Sequence, residues 1–265
     1  MTTRETNMSF WEHLDVLRSS LIRIVAVSVL CGTVAFLFKE EVFSVVLAPK
    51  DADFVTYRML ERLAGYVAGT GASAFSVHLI NTGLAEQFIV HMKVSVYVGV
   101  LLASPYILYL LFRFISPALY ADERKCASRI VGWGYVMFLS GALTCYFLLF
   151  PLTFRFLGTY QVSGEVENMI SLQSYIGTLG GMTMMLGIVF EIPVVCWLLA
   201  RAGILSAGVM QRCRRHAVVG ILVIAAIITP TSDIFTLMLV ALPMWLLYEA
   251  SILVVKRMHV KNNSK

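Results

Sequence analysis

Six blocks of nearly uninterrupted apolar residues divide this chain, at 21–38, 88–112, 130–150, 175–200, 217–228 and 234–255. A helix that crosses a bilayer needs about 20 such residues, because in hydrocarbon every backbone N–H and C=O must find its partner within the helix itself. Five of the blocks approach or exceed that length. The fifth is short and is followed at once by Thr229-Pro230-Thr231-Ser232-Asp233. The fifth and sixth blocks therefore predict a tight hairpin of short helices, which asks for a thinned bilayer or a cavity around it.

The stretches between blocks carry their own patterns. Ser9 and Glu12 have the spacing of a capping box, which starts a helix over 9–20. In that helix Phe10 or Trp11, Leu14, Leu17 and Leu21 share one face, while Glu12, Asp15 and Ser19 share another. This is an amphipathic arm, placed at the cytoplasmic interface before the first span. Its carboxylates, with Arg18 beside them, form either a solvated face with weak local ion pairs or a seat for a basic partner. Residues 39–47 predict a short interfacial helix ended by Pro49, and 50–86 reads as an outer loop or cap without its own core. Pro105 falls inside the second block and should kink it, since proline removes a donor and crowds the preceding turn. Below it come Tyr106, Tyr109, Phe112, Arg113 and Phe114, residue types common at a membrane boundary. A charged hairpin follows over 116–129. In it Pro117 resets the backbone, and Asp122 and Glu123 precede the third span, where carboxylates favour a helix N-terminus.

Composition turns these helices into a membrane protein. Hydrophobic residues make up 58% and charged residues 14%, with a mean hydropathy of +0.79, against about 25% charged in soluble domains. The expected fold class is an all-α integral membrane protein, one polytopic domain over 1–265 with six transmembrane helices. Lys and Arg decide its orientation. Thirteen lie on the side that holds both termini, the 116–129 hairpin and the 201–215 connection, and five on the other. By the positive-inside rule both termini are cytoplasmic. The net charge of +5 thus follows from topology, and no basic domain remains for nucleic acid. The first block is too long for a signal-peptide core and is expected to remain as a span.

Little else reads as chemistry. Cys31, Cys126, Cys145, Cys196 and Cys213 form no C-x-x-C pair, which argues against a disulfide framework or a metal site. Nucleotide-binding, zinc-protease and serine-hydrolase motifs are missing, so no catalytic residue and no cofactor is expected. Glu191 is the sharpest anomaly. It shares a face of the fourth block with Gly180, Met184 and Gly187, and Pro193 follows. A carboxyl at membrane depth costs about 2.5–3.5 kcal/mol even on permissive scales and by default marks a pathway or a contact; the alternative is a Glu hydrogen-bonded to a neighbouring helix. Glu249, near the cytoplasmic end of the sixth block, lies within reach of water or Lys256.

Taken in order, several short motifs resemble the TatC family, the multispanning receptor subunit of the twin-arginine protein translocase. They are H-L-D-V-L-R (13–18), A-P (48–49), S-P-Y-I-L-Y through F-I-S-P-A-L-Y-A-D-E-R-K (104–125), F-P-L (150–152), F-E-I-P (190–193), T-P-T-S-D-I-F (229–235) and A-L-P-M (241–244). The resemblance implies a concave bundle in the bacterial inner membrane. Such a bundle binds twin-arginine signal peptides of folded cargo at its cytoplasmic face and moves them with single-span TatA/TatB-type subunits, as a homo-oligomer within a larger complex driven by the proton gradient. The chemistry suits that task, since two guanidiniums are best met by carboxylates. By resemblance Glu123 is a main carboxylate, supported by Arg18, Phe114 and Arg124. Glu191 and Pro193 face the intramembrane groove and meet partner helices or the signal peptide. Pro49, Pro105, Pro117 and Asp233 are structural, with Asp233 capping the hairpin between the fifth and sixth helices. The family's arm reads H-L-x-E-L-R; Val16 stands at the Glu position here, leaving Asp15 or Glu12 to replace it. The alternative is a proton-coupled small-solute transporter that uses Glu191 as its carrier.

Overall fold

The computed structural model describes residues 10–68, 78–115, 127–160, 168–229 and 233–263. Among them the regular elements are helices apart from two strands of two residues each. α1 (Phe10–Leu37) is one helix of 28 residues. The expected arm and the first span are therefore a single rod, because no glycine or proline interrupts the chain between Phe10 and Cys31. Ser9 lies outside the described residues. α2 (Lys39–Leu47), a 3₁₀ turn (Ala48–Lys50) and α3 (Val55–Ala68) follow. The outer segment expected as a loop thus holds a helix pinned to the bundle. β1 (Leu79–Ile80) pairs in parallel with β2 (Ile170–Ser171), each leading into a long helix: α4 (Glu86–Ile115) and α7 (Leu172–Val189).

Between them α5 (Ala127–Thr144) continues through a π-turn (Cys145–Leu149) into α6 (Phe150–Thr159). The third span therefore passes beyond Pro151 instead of ending there. Proline offers no N–H to the carbonyl four residues back and crowds it, and the wider π-turn accommodates that crowding. The Phe147 carbonyl left free by Pro151 accepts the Thr56 hydroxyl of α3. At Pro105 the same problem is met within α4: the Leu101 carbonyl accepts the Ser104 hydroxyl at 2.7 Å.

The fourth apolar block divides. α7 stops at Val189 and α8 (Ile192–Arg201) begins after Phe190 and Glu191. Pro193 removes the donor for the Val189 carbonyl, the Glu191 N–H shifts to the Ile188 carbonyl at 3.1 Å, and regular bonding resumes from the Val195 N–H to the Glu191 carbonyl at 2.9 Å. The chain then forms α9 (Ala207–Arg212), α10 (Arg214–Ile228) and α11 (Ile234–Asn263). Among the described residues five stretches are long and apolar enough to cross a membrane: Leu14–Leu37, Glu86–Phe114, Ile130–Thr159, Leu172–Arg201 and Ile234–Met258. α10, with 15 residues, rises only about 22 Å against a hydrocarbon core of about 30 Å. The expectation of a short sixth helix does not hold: α11 has 30 residues and contains Pro243 without ending there.

The core sits toward the end of the bundle that bears α3, where Val90, Cys145, Phe150, Tyr175, Ile176, Met182 and Met244 are fully buried. Two polar clamps close it from above. Tyr57 is 1% exposed, and its hydroxyl donates toward the carbonyls of Pro49 (3.0 Å) and Pro151 (3.1 Å). Burial pushes the Tyr57 hydroxyl well above the usual tyrosine range, with the Arg155 guanidinium only partly opposing it, so the group remains a donor at any physiological pH. Glu86 accepts from the Thr82 N–H (2.8 Å), the Thr82 hydroxyl (3.1 Å), the Gly83 N–H (2.8 Å) and, across the strand pair, the Gln173 N–H (3.1 Å).

Tyr57→Phe removes only the donor that joins α3 to the two proline carbonyls. Thermal unfolding of the purified protein should show a loss of about 1–3 kcal/mol, the cost of leaving buried acceptors unmet. An unchanged melting temperature would mean that packing alone holds the cap.

Candidate functional site

α1 and α4 run antiparallel and touch where side chains are smallest. A Cβ added to Gly99 would fall 2.6 Å from the Gly32 Cα and 2.8 Å from the Ser28 carbonyl oxygen, and one added to Gly32 would lie 3.2 Å from the Ser95 carbonyl oxygen. Small residues let two backbones approach in lipid, where packing rather than hydrophobic burial joins helices. One turn further out, the His91 ring stacks on Phe36 with centroids 4.0 Å apart, and its Nε2 lies 3.2 Å from the Phe36 carbonyl oxygen. These contacts set a register of Phe36 with His91, Gly32 with Ser95 and Ser28 with Gly99. Continued at equal steps, it brings Arg18 level with Tyr109, Asp15 with Phe112 and Glu12 with Ile115.

The near end of α1 therefore stands beside the last turn of α4, just before residues 116–126, which lie outside the described residues. Asp15 and Arg18 are exposed and Phe114 is half-buried. Pro117, Glu123 and Arg124 lie outside the described residues, as does the Glu12 side chain. Position 16, where the family motif would carry Glu, presents an exposed Val16, while Asp15 sits exposed one residue before it.

Glu191 occupies the interruption between α7 and α8. Both carboxyl oxygens are buried and have no hydrogen-bond partner among the described residues. They lie 3.2 and 3.4 Å from where a Cβ on Gly134 would sit, and that Cβ would also come within 2.9 Å of the Phe112 ring. The missing side chain at Gly134 thus provides the space that the carboxyl occupies between α4, α5 and α8. A Glu bonded to a neighbouring helix is not what the structure shows. Pro193, two residues on, is half-buried.

The structural residues separate by role. Pro49 is buried and receives the Tyr57 hydroxyl. Pro105 is exposed on α4. The Asp233 Oδ1 accepts the Thr236 N–H at 2.6 Å at the start of α11, so its carboxylate caps that helix. Glu249 does not turn to Lys256: its Oε2 accepts from the Arg214 guanidinium at 2.6 Å, joining α10 to α11. The clamps at Tyr57 and Glu86 were missed from sequence. Only the position of Glu86 just before an apolar block, the first-turn preference of a carboxylate, hinted at either.

The sequence profile described as Sec-independent protein translocase protein (TatC) matches residues 12–243. A Sec-independent protein translocase protein TatC from Blattabacterium is 30% identical over 257 residues, covering 95% of this chain and 96% of the relative. Another, from Akkermansia muciniphila, is 39% identical over 168 residues, which are 63% of this chain and 48% of that longer relative. A crystal structure of the twin-arginine translocase receptor TatC in DDM superposes with a TM-score of 0.75 at 31% identity, covering 92% of this chain and 99% of that one. These matches set aside the small-solute transporter alternative. With its multiple membrane-spanning helices, the chain belongs to the TatC family and is a non-enzymatic subunit of the Sec-independent, twin-arginine protein translocase.

Proposed function

We propose that this subunit is the signal-peptide receptor of its translocase. It places both termini on the cytoplasmic side of a bacterial inner membrane, with α10 as a sixth, short crossing. Thirteen positive residues on that side against five on the other support this topology. Paired arginines of a folded cargo's signal peptide are met by Glu123 together with Asp15 or Glu12, while Arg18, Arg124 and Phe114 frame the seat. The observation that carries this reading is the α1–α4 register, which brings the arm's carboxylates level with the root of the hairpin that bears Glu123. Pro117 shapes the hairpin.

Glu191 and Pro193 form the intramembrane contact, taken by the apolar helix of the signal peptide or by single-span TatA/TatB-type subunits. Support comes from a carboxyl that has no partner within the described residues. Such a group stays at membrane depth at a cost, which marks it as functional. Six helices of one chain do not enclose a folded protein, so transport proceeds in a larger assembly of several copies with partner subunits and draws on the proton gradient.

Binding of a twin-arginine signal peptide to the detergent-purified protein should weaken about ten- to a hundredfold in Glu123→Ala, the worth of charge-assisted hydrogen bonds to one carboxylate. A twin-lysine peptide should bind less tightly to the wild type, since an ammonium does not reproduce the guanidinium fork. An unchanged affinity in Glu123→Ala removes that residue from the seat, and equal binding of the two peptides removes the receptor reading.

Glu191→Leu separates function from folding. Replacing an unsatisfied buried polar group by an apolar one of similar size is neutral or stabilising. The melting temperature should therefore hold or rise while export of a twin-arginine cargo in reconstituted vesicles falls. A clear drop in melting temperature would instead make the carboxyl a structural element.

A further inference from the structure

A cleft of about 490 Å³ opens where α5, α8 and α11 reach the same membrane boundary. Ile130 begins the apolar span of α5, Arg201 ends that of α8, and Val254 lies just before the end of that of α11 at Met258. From Arg201 the wall runs inward past Trp197 to Pro193, and on α5 from Trp133 to Met137. The eight residues from Arg201 to Pro193 rise about 12 Å along a helix, most of the roughly 15 Å of hydrocarbon in one leaflet. The deep part is apolar, and charge is confined to the mouth. There the exposed Arg201 guanidinium stands 5.1 Å from the ring centroid of Trp197. Arg257 is also exposed, one turn beyond Val254 on the same face of α11. Among the described residues no carboxylate lines the cleft.

We propose that this cleft is a binding site for one anionic phospholipid, its phosphate held between Arg201 and Arg257 and one acyl chain laid inward against Met137. Two observations select that occupant. Two arginines at a membrane boundary match a phosphate, which each can grip through two parallel N–H bonds. Trp133 and Trp197 stand where indoles favour the carbonyl and glycerol layer. The seated lipid ties α8 to α5 and α11 just below the α7–α8 interruption. The inference stands on the membrane boundary and the cleft, and it does not depend on the signal-peptide seat or on the role of Glu191.

The test is native mass spectrometry of the full-length protein released from detergent after incubation with phosphatidylglycerol or phosphatidylcholine of matched chains. The wild type should retain phosphatidylglycerol about tenfold more than phosphatidylcholine, what loss of one charge-assisted contact pair carries. Arg201→Gln and Arg257→Gln should each erase most of that preference. Val254→Trp, which fills the cleft and leaves both charges, should abolish retention of one lipid while the melting temperature holds. Equal retention of the two lipids overturns the proposal, as does a preference that survives all three substitutions. Displacement of the lipid by millimolar inorganic phosphate would reduce the site to a simple anion seat, and displacement by a synthetic single-span helix would assign it to a protein partner; either outcome also overturns it.

Discussion

A backbone carbonyl in hydrocarbon has no water to turn to, and much of the shape of this protein follows from how the hydrogen bonds lost at Pro105, Pro151 and Pro193 are accommodated. Pro105 frees the Leu101 carbonyl, and the adjacent Ser104 hydroxyl takes it at 2.7 Å, so α4 continues as one helix. Pro151 frees the Phe147 carbonyl, and the donor comes from another element, Thr56 on α3. At Pro193 the structure takes a third course: the helix splits at Phe190 and Glu191 and starts again. An unmet backbone group in lipid costs several kcal/mol, so each of these solutions is a constraint on the helices around it.

Those solutions position what the protein uses. Because the Phe147 carbonyl and the Pro49 and Pro151 carbonyls all look to α3, the outer segment is drawn down onto the bundle, and Tyr57 becomes one of its most buried side chains. Because α7 stops short, Glu191 stands at a helix start rather than within a regular turn, and its carboxyl turns into the space left by Gly134 beside Phe112. The interruption and the glycine act together. Cβ atoms at position 134 would meet the carboxyl, and a continuous helix through 190 would aim residue 191 elsewhere on the bundle.

At the other end, the register between α1 and α4 transmits geometry over a distance. Gly32, Gly99 and Ser28 allow near contact of the two backbones, and His91 on Phe36 fixes the pair lengthwise. Since α1 is an unbroken rod, a contact near the middle of the membrane determines where Asp15 and Arg18 stand beside the end of α4. The position of the arm is in this sense set by small residues some 20 Å away from it.

Hydropathy alone located the apolar blocks, because it depends on composition summed over many residues. Glu191 was conspicuous for the same reason, as one carboxyl against a whole apolar span. What pattern could not reveal depends on pairs of residues far apart in the chain. Thr56 meeting Phe147, Tyr57 joining Pro49 to Pro151, Glu86 reaching Gln173 and Arg214 taking Glu249 from Lys256 each need two elements to be packed before either side chain shows its role. Helix ends were misjudged where a local signal was overruled by such partners: Pro151 does not end its helix, because a π-turn and a donor from α3 absorb it. The sixth helix is long because Asp233 caps its start and no later residue before Asn263 stops it. Sequence determined that the chain enters the membrane and roughly where, since transfer to lipid is additive along a helix. Only tertiary structure decided which buried polar groups are satisfied and which, like Glu191, have no partner among the described residues, since a hydrogen bond exists only once both partners are in place.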